Sequence, residues 1–216
     1  MPLPSPILYH PSLHSLLLPH LAQMHADCVL HDGTVTAFLP NQQGEMDVPK
    51  ILDHWAGLSE EVERGVRVTV LQFTPAAETE GSESELMGFV SLSMPVSESG
   101  PFRAGVEKLL VSPQHRRKGV ARRVMGKLEE VAREKGRVLL VRSHSLSLYA
   151  GQSTRNQADR EAFVILQMLE TIKGSGAEHL YPKLGYKEVG VIPRHSIHPH
   201  TRELVDEMLF YKDLRG

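Results

Sequence analysis

Between Ala104 and Val141 the chain reads as strand, tight basic loop, helix and strand. Ala104–Val111 (AGVEKLLV) has a strand pattern that Ser112-Pro113 stops. From Gly119 to Lys135 the apolar residues Ala121, Val124, Met125, Leu128, Val131 and Ala132 form one helical stripe. Gly136 follows at the position where a left-handed residue closes a helix. Arg137–Val141 (RVLLV) is a short, nearly continuous apolar run, typical of a strand buried on both faces. A strand–helix–strand crossover is right-handed and sets its two strands parallel in one sheet. The unit therefore predicts a mixed α/β (α+β) fold with at least one parallel pair.

The flanking sequence supplies further elements. The first ten residues are proline-rich and read as extended. Helical spacing runs from Pro11 to about Cys28 and again from Val48 to Glu63, with Ile51, Leu52, Trp55 and Leu58 on one face of the second helix. Val66–Phe73 alternates like a half-buried strand, and Leu86–Met94 is its return after a polar loop at Pro75–Glu85. Ala158–Ile172 suits a helix, although its VILQML run also suits a strand. A short helix at Ala177–Leu184 and strands at Tyr186–Ile192 and Leu204–Lys212 complete the chain. The 216 residues suit a single domain.

The strongest chemical signal lies inside the opening unit. Arg116-Arg117-Lys118-Gly119-Val120-Ala121 directly follows a strand and opens a helix. The first N–H groups of a helix have no intrahelical partner, and the helix dipole is positive there. Gly119 and the small Ala121 let a phosphate approach the backbone, so the loop is an anion cradle. Neither GKS/GKT nor GxGxxG is present, which excludes a P-loop and a dinucleotide fingerprint.

Charge narrows the partner. Residues 1–100 hold 3 basic and 13 acidic side chains, and residues 101–216 hold 21 basic and 13 acidic. The total is near neutral, at −2, which argues against a dedicated nucleic-acid binder. The single cysteine, Cys28, excludes an intrachain disulfide and a cysteine zinc cluster, and fits a reducing, cytoplasmic setting. No apolar run approaches the ~18 residues of a membrane span. His195, His198 and His200 are interrupted by prolines and read as a turn facing water or substrate, not as a metal site.

The run VEKLLVSPQHRRKGVARRVMGKLEEVA resembles the acetyl-CoA-binding core of the GNAT N-acetyltransferases, whose signature is matched by Arg116, Gly119 and Ala121. The later GAEHLYPKLGYKEVGVIP resembles that family's final helix and strands, and the features LYxKLGY, GxIP and FYxKxL are similar to its tabtoxin-resistance branch. The resemblance implies a central, mostly antiparallel mixed sheet with a V-shaped acetyl-CoA cleft. It implies that the main chain of Leu109, Leu110 and Val111 pairs with the pantetheine amides. It places the pyrophosphate on the backbone of Arg116, Arg117, Lys118, Gly119, Val120, Ala121 and Arg122. Tyr181 falls at the family's general-acid position. Glu107 could serve as the base, directly or through water, since an amine attacks a thioester only when neutral. Glu107 and Lys108 alternate along the strand, so one of them is expected to face the cleft. The expected reaction is acetyl transfer to a primary amine of a small molecule, without metal, nucleic acid or membrane, and compatible with a homodimer. Asp206 and Glu207 are candidates for recognising a cationic substrate.

Two departures stand out. Gly174 replaces an Asn that many family members use to bond CoA, and Pro182 removes a helical N–H beside Tyr181. The stretch Val141–Gln167 has no counterpart in the family. It reads either as a short intron retained in frame or as a genuine insertion forming a lid. The first reading leaves open an inactive isoform or a non-catalytic acyl-CoA-binding protein.

Overall fold

The computed structural model describes residues 3–75, 84–141, 169–172 and 177–215. The expectations placed on residues 142–168 and on Gly174 lie outside them.

The extended N-terminus forms β1 (Ile7–Leu8), antiparallel to β2. α1 (Pro11–His14) and α2 (Leu18–Asp32) follow, and Gly33 caps α2 in the left-handed region. α3 (Val48–Glu63) starts where the Asp47 side chain accepts from the Lys50 N–H, an N-cap bond ahead of Pro49 in the first turn. β2 (Arg67–Phe73), β3 (Leu86–Ser93) and β4 (Arg103–Val111) then form an antiparallel meander. α4 (Val120–Glu134) crosses over, and β5 (Leu139–Val141) returns parallel to β4. The strand, loop, helix and strand read from the sequence are all present, and the β4–β5 pair is parallel as expected.

The last elements are β6 (Leu169–Ile172), α5 (Leu180–Lys183), β7 (Lys187–Ile197) and β8 (Leu204–Asp213). β8 is antiparallel to β5, β6 and β7. The sheet is thus mixed and mostly antiparallel, in the order β1-β2-β3-β4-β5-β8-β6, with β7 also on β8.

Three sequence expectations change. Of the helix proposed for Ala158–Ile172, the described part, Leu169–Ile172, is a strand: its β-branched and apolar residues gain a full ladder against Met208 and its neighbours on β8. β2 is not half-buried, since Arg67 through Gln72 are all buried. Its polar residues can be enclosed because each finds a partner inside, such as the Thr69–Ser91 hydroxyl pair at 2.8 Å. β7 extends through Pro193 to Ile197, so His195 stands on a strand and not in the turn.

Two cores sandwich the sheet. Under α4 lie Val68, Val70, Val90, Leu92 and Val106, packed on Val124, Met125 and Leu128. On the opposite face Leu71, Phe89 and Leu110 pack against Leu21, Ile51, Trp55 and Leu58 of α2 and α3. Gly88 is a point of close approach. A Cβ there would stand 2.8 Å from the Leu110 carbonyl oxygen and 2.9 Å from Val120. The missing side chain lets β3, β4 and the start of α4 converge.

Candidate functional site

β4 links both halves of the site. Its ladder with β3 pairs Ser91 with Glu107 but Phe89 with Leu110, so β4 carries one extra residue. Lys108 occupies the bulge with φ +52, a left-handed conformation for a non-glycine residue. The extra residue shifts the side-chain alternation. Val106 and Leu109 join the α4 core, whereas Leu110 joins the α2–α3 core. The expected simple alternation of Glu107 and Lys108 therefore fails. The Lys108 Nζ lies 3.6 Å from the Glu107 carboxylate, on the same side. The β4–β5 ladder pairs Arg103 to Gly105 with Leu139 to Val141, and β4 itself leads on to the anion loop.

The loop itself is built by two left-handed residues, Arg117 (φ +61) and Gly119 (φ +80), the latter capping α4. A Cβ on Gly119 would touch nothing within 4 Å, so its space is open to a ligand. Arg117, Lys118, Gly119 and Arg122 are exposed, Ala121 is half-buried and Val120 is buried. These residues fit a pyrophosphate on backbone N–H groups with cations beside it. Arg116 and Arg123 differ from the others. Arg116 folds back onto Asp32 of α2 and onto the Val111 carbonyl at 3.3 Å. Arg123 bonds Gln72 at 3.0 Å and the Leu3 carbonyl at 3.0 Å, and also bonds the Pro4 carbonyl. Two of the five basic side chains between His115 and Arg123 thus tie the N-terminal part of the chain to the cleft. The Val111 carbonyl also accepts the Cys28 thiol at 3.5 Å.

The other half of the site is a buried charge chain. Arg67, at the start of β2, has a side chain with no exposure. It donates to Glu61 of α3 at 2.7 Å and to Glu107 at 2.9 Å. Burial pushes the Glu107 carboxyl up, but Arg67 and Lys108 outweigh it and hold the group below its ordinary value. Glu107 is therefore ionised at neutral pH.

Two imidazoles complete this side. His25 of α2 and His54 of α3 flank Phe38, each at 5.3 Å between ring centroids, and both contact Trp55 edge-on. Burial, then Lys108, then His54 lower the His25 pKa to about 3. Burial, then Lys108 and Arg67, lower that of His54 to about 4. Both rings are neutral. Among the described residues, both ring nitrogens of His25, Nε2 of His54 and Nη2 of Arg67 have no hydrogen-bond partner.

Tyr181 is 5 % exposed and packs on Phe210 at 5.3 Å and Tyr186 at 5.9 Å. Burial, with Glu129 next to it, raises the Tyr186 phenol well above its ordinary value. Glu207, also buried, accepts the Ser196 hydroxyl and lies 3.3 Å from His195. Asp206 accepts the Arg194 N–H at 3.0 Å. His200 bonds the Val29 carbonyl at 3.0 Å, and His198 Nδ1 accepts the His200 and Thr201 N–H groups. The β7–β8 turn is thereby docked on the end of α2.

Residues 50–150 match the model of the Acetyltransferase (GNAT) family. Solved structures share the fold of this chain at low identity. A ribosomal-protein-alanine N-acetyltransferase of Brucella melitensis is 18 % identical with a TM-score of 0.61, covering 96 % of this chain and 99 % of that one. The protein yncA of Salmonella typhimurium, solved with its cofactor acetyl-CoA, is 14 % identical with a TM-score of 0.62, covering 99 % and 96 %. An N-acetyltransferase of Staphylococcus aureus is 14 % identical with a TM-score of 0.63, covering 98 % and 100 %. No curated protein matches the sequence. No helix among the described residues is long and apolar enough to cross a membrane.

Sequence reasoning missed Arg67, Glu61, His25 and His54. For Arg67 a signal existed. It is one of three basic residues in the first hundred, and it opens a strand of alternating valines. Nothing local marks the histidines, because they meet through packing of α2 on α3.

Proposed function

We propose that the chain is an acetyl-CoA-dependent N-acetyltransferase that moves an acetyl group to a primary amine of a small molecule by direct attack. The observation that carries this reading is the course of β4. One strand presents an ionised, buried Glu107 at a left-handed bulge and runs directly into an open anion loop at the start of α4.

Acetyl-CoA, when bound, supplies the thioester carbonyl that the amine attacks. Arg117, Lys118, Gly119, Val120, Ala121 and Arg122 hold the pyrophosphate, and Arg116 shapes the loop through Asp32. The main chain of Leu109, Leu110 and Val111 lies along the pantetheine arm. Glu107 takes up the amine proton, through a water if the amine stands further off. Its low pKa makes it a modest base, and its main work is to offer negative charge to the N–H as the proton leaves. Arg67 and Glu61 hold it in place. Tyr181 donates its phenolic proton to the departing sulfur. The amine nitrogen gains the acetyl carbon, the C–S bond breaks, and the thiol leaves neutral. Asp206 and Glu207 add negative charge at the acceptor end for a cationic substrate. The tabtoxin-resistance branch is the resemblance that favours a small-molecule acceptor over a protein one.

The test is CoA release from acetyl-CoA with a panel of amines that includes amino acids, polyamines and alanine-ended peptides. A small amine should be acetylated, with Glu107→Gln and Tyr181→Phe each lowering kcat about 10²-fold. Acetyl-CoA binding without turnover on any amine would overturn the reading in favour of a binding protein. Turnover confined to peptides would overturn the small-molecule acceptor.

A further inference from the structure

β5 and β6, consecutive strands among the described residues, both run antiparallel to β8. Leu140 faces Lys212, and Leu169 faces Phe210. Two steps along β8 thus correspond to 29 positions along its partner, an excess of 27 residues. β7 already lines β8 from Leu204 to Tyr211, so β6, which faces Glu207–Phe210, must take the opposite edge. Extending the β5 ladder past Val141 would bring the next residue opposite Phe210. Leu169 fills that place.

We infer that β5 and β6 are two halves of one strand, interrupted by 27 residues that the sheet does not need. The sequence arrives at the same number separately, because the stretch without a family counterpart, Val141–Gln167, is also 27 residues long. The agreement matters because an antiparallel ladder does not tolerate an approximate count. A one-residue slip sends every side chain to the other face of the sheet. Joining Leu140 to Met168 puts Met168 where Val141 stands and leaves the ladder from Leu139 to Ile172 in register against β8. A chain without residues 141–167 is therefore a complete folded form of this protein. The inference does not depend on the catalytic reading.

The experiment compares the full chain with the deletion of 141–167 and with two deletions from the same start, one residue shorter and one residue longer. Shortening the chain between two paired positions lowers the entropy cost of closing it. The in-register deletion should unfold cooperatively about 5 °C above the full chain and above both off-register deletions. An in-register deletion no more stable than the off-register pair would overturn the inference. A second variant keeps the full length and replaces residues 143–166 by a Gly/Ser run. Its Tm should stay within about 2 °C of the parent, and loss of the cooperative transition would equally overturn it.

Discussion

The two halves of the candidate site are built in opposite ways. On the α4 side, the anion loop is local. Six consecutive residues, their left-handed turns and the first turn of one helix make the loop, and Arg117, Lys118 and Arg122 are exposed on it. On the α2–α3 side, the charge chain and its imidazoles are assembled from four elements: His25 from α2, Glu61 and His54 from α3, Arg67 from β2 and Glu107 with Lys108 from β4. Its groups are buried, mutually paired or desolvated. A local, exposed site is tuned by single charges with little structural consequence. A dispersed, buried one is inseparable from the stability of the fold.

The sharpest way to break this contrast is Arg67→Met. It leaves the buried Glu107 with Lys108 alone and the half-buried Glu61 without its cation, and removal of one partner of a buried pair costs about 3–5 kcal/mol. Urea unfolding should report that loss. In the folded fraction the Glu107 carboxyl, no longer held down by Arg67, should titrate higher, moving the acid limb of the pH–rate profile upward. An unchanged limb with lost stability would make Arg67 purely structural.

A smaller effect follows from His25. Its folded pKa, about 3, lies below the ordinary value of 6.5, so on acidification the unfolded chain binds the proton first. Stability is then full above about pH 6.5 and falls as the pH drops toward the folded value, by about 1.4 kcal/mol per pH unit for this one group. Chemical denaturation between pH 7 and pH 4 should show the slope, and His25→Phe should reduce it to the part that His54, lowered to about 4, contributes. A variant with the parental slope would remove His25 as its cause.

The smallest effect belongs to the α4 side. Lys118→Ala and Arg122→Ala should each weaken acetyl-CoA binding about two- to fivefold, more at low salt, as expected for exposed charges near a helix start. Tm should not move. A Tm loss comparable to that of Arg67→Met would erase the distinction between the two sides.

The chain alone determined the β4–α4–β5 unit, the parallel pair and the anion loop, because each rests on contacts within a few residues and on helical or strand periodicity. It also placed α3, whose observed bounds, Val48–Glu63, are those its apolar spacing predicts. Tertiary structure decided the rest. The bulge at Lys108 cancels the alternation that AGVEKLLV suggests, and it lies in the β3–β4 ladder next to the close approach over Gly88. Arg67 is enclosed because Glu61 and Glu107 meet it there, 6 and 40 positions away in the chain. Arg116 falls in the expected pyrophosphate loop, but tertiary contacts turn its side chain, like that of Arg123, onto the protein itself. Periodicity reports which face of an element is apolar. It carries no information on which polar groups from distant elements will share that face, and buried charge is settled by those partners.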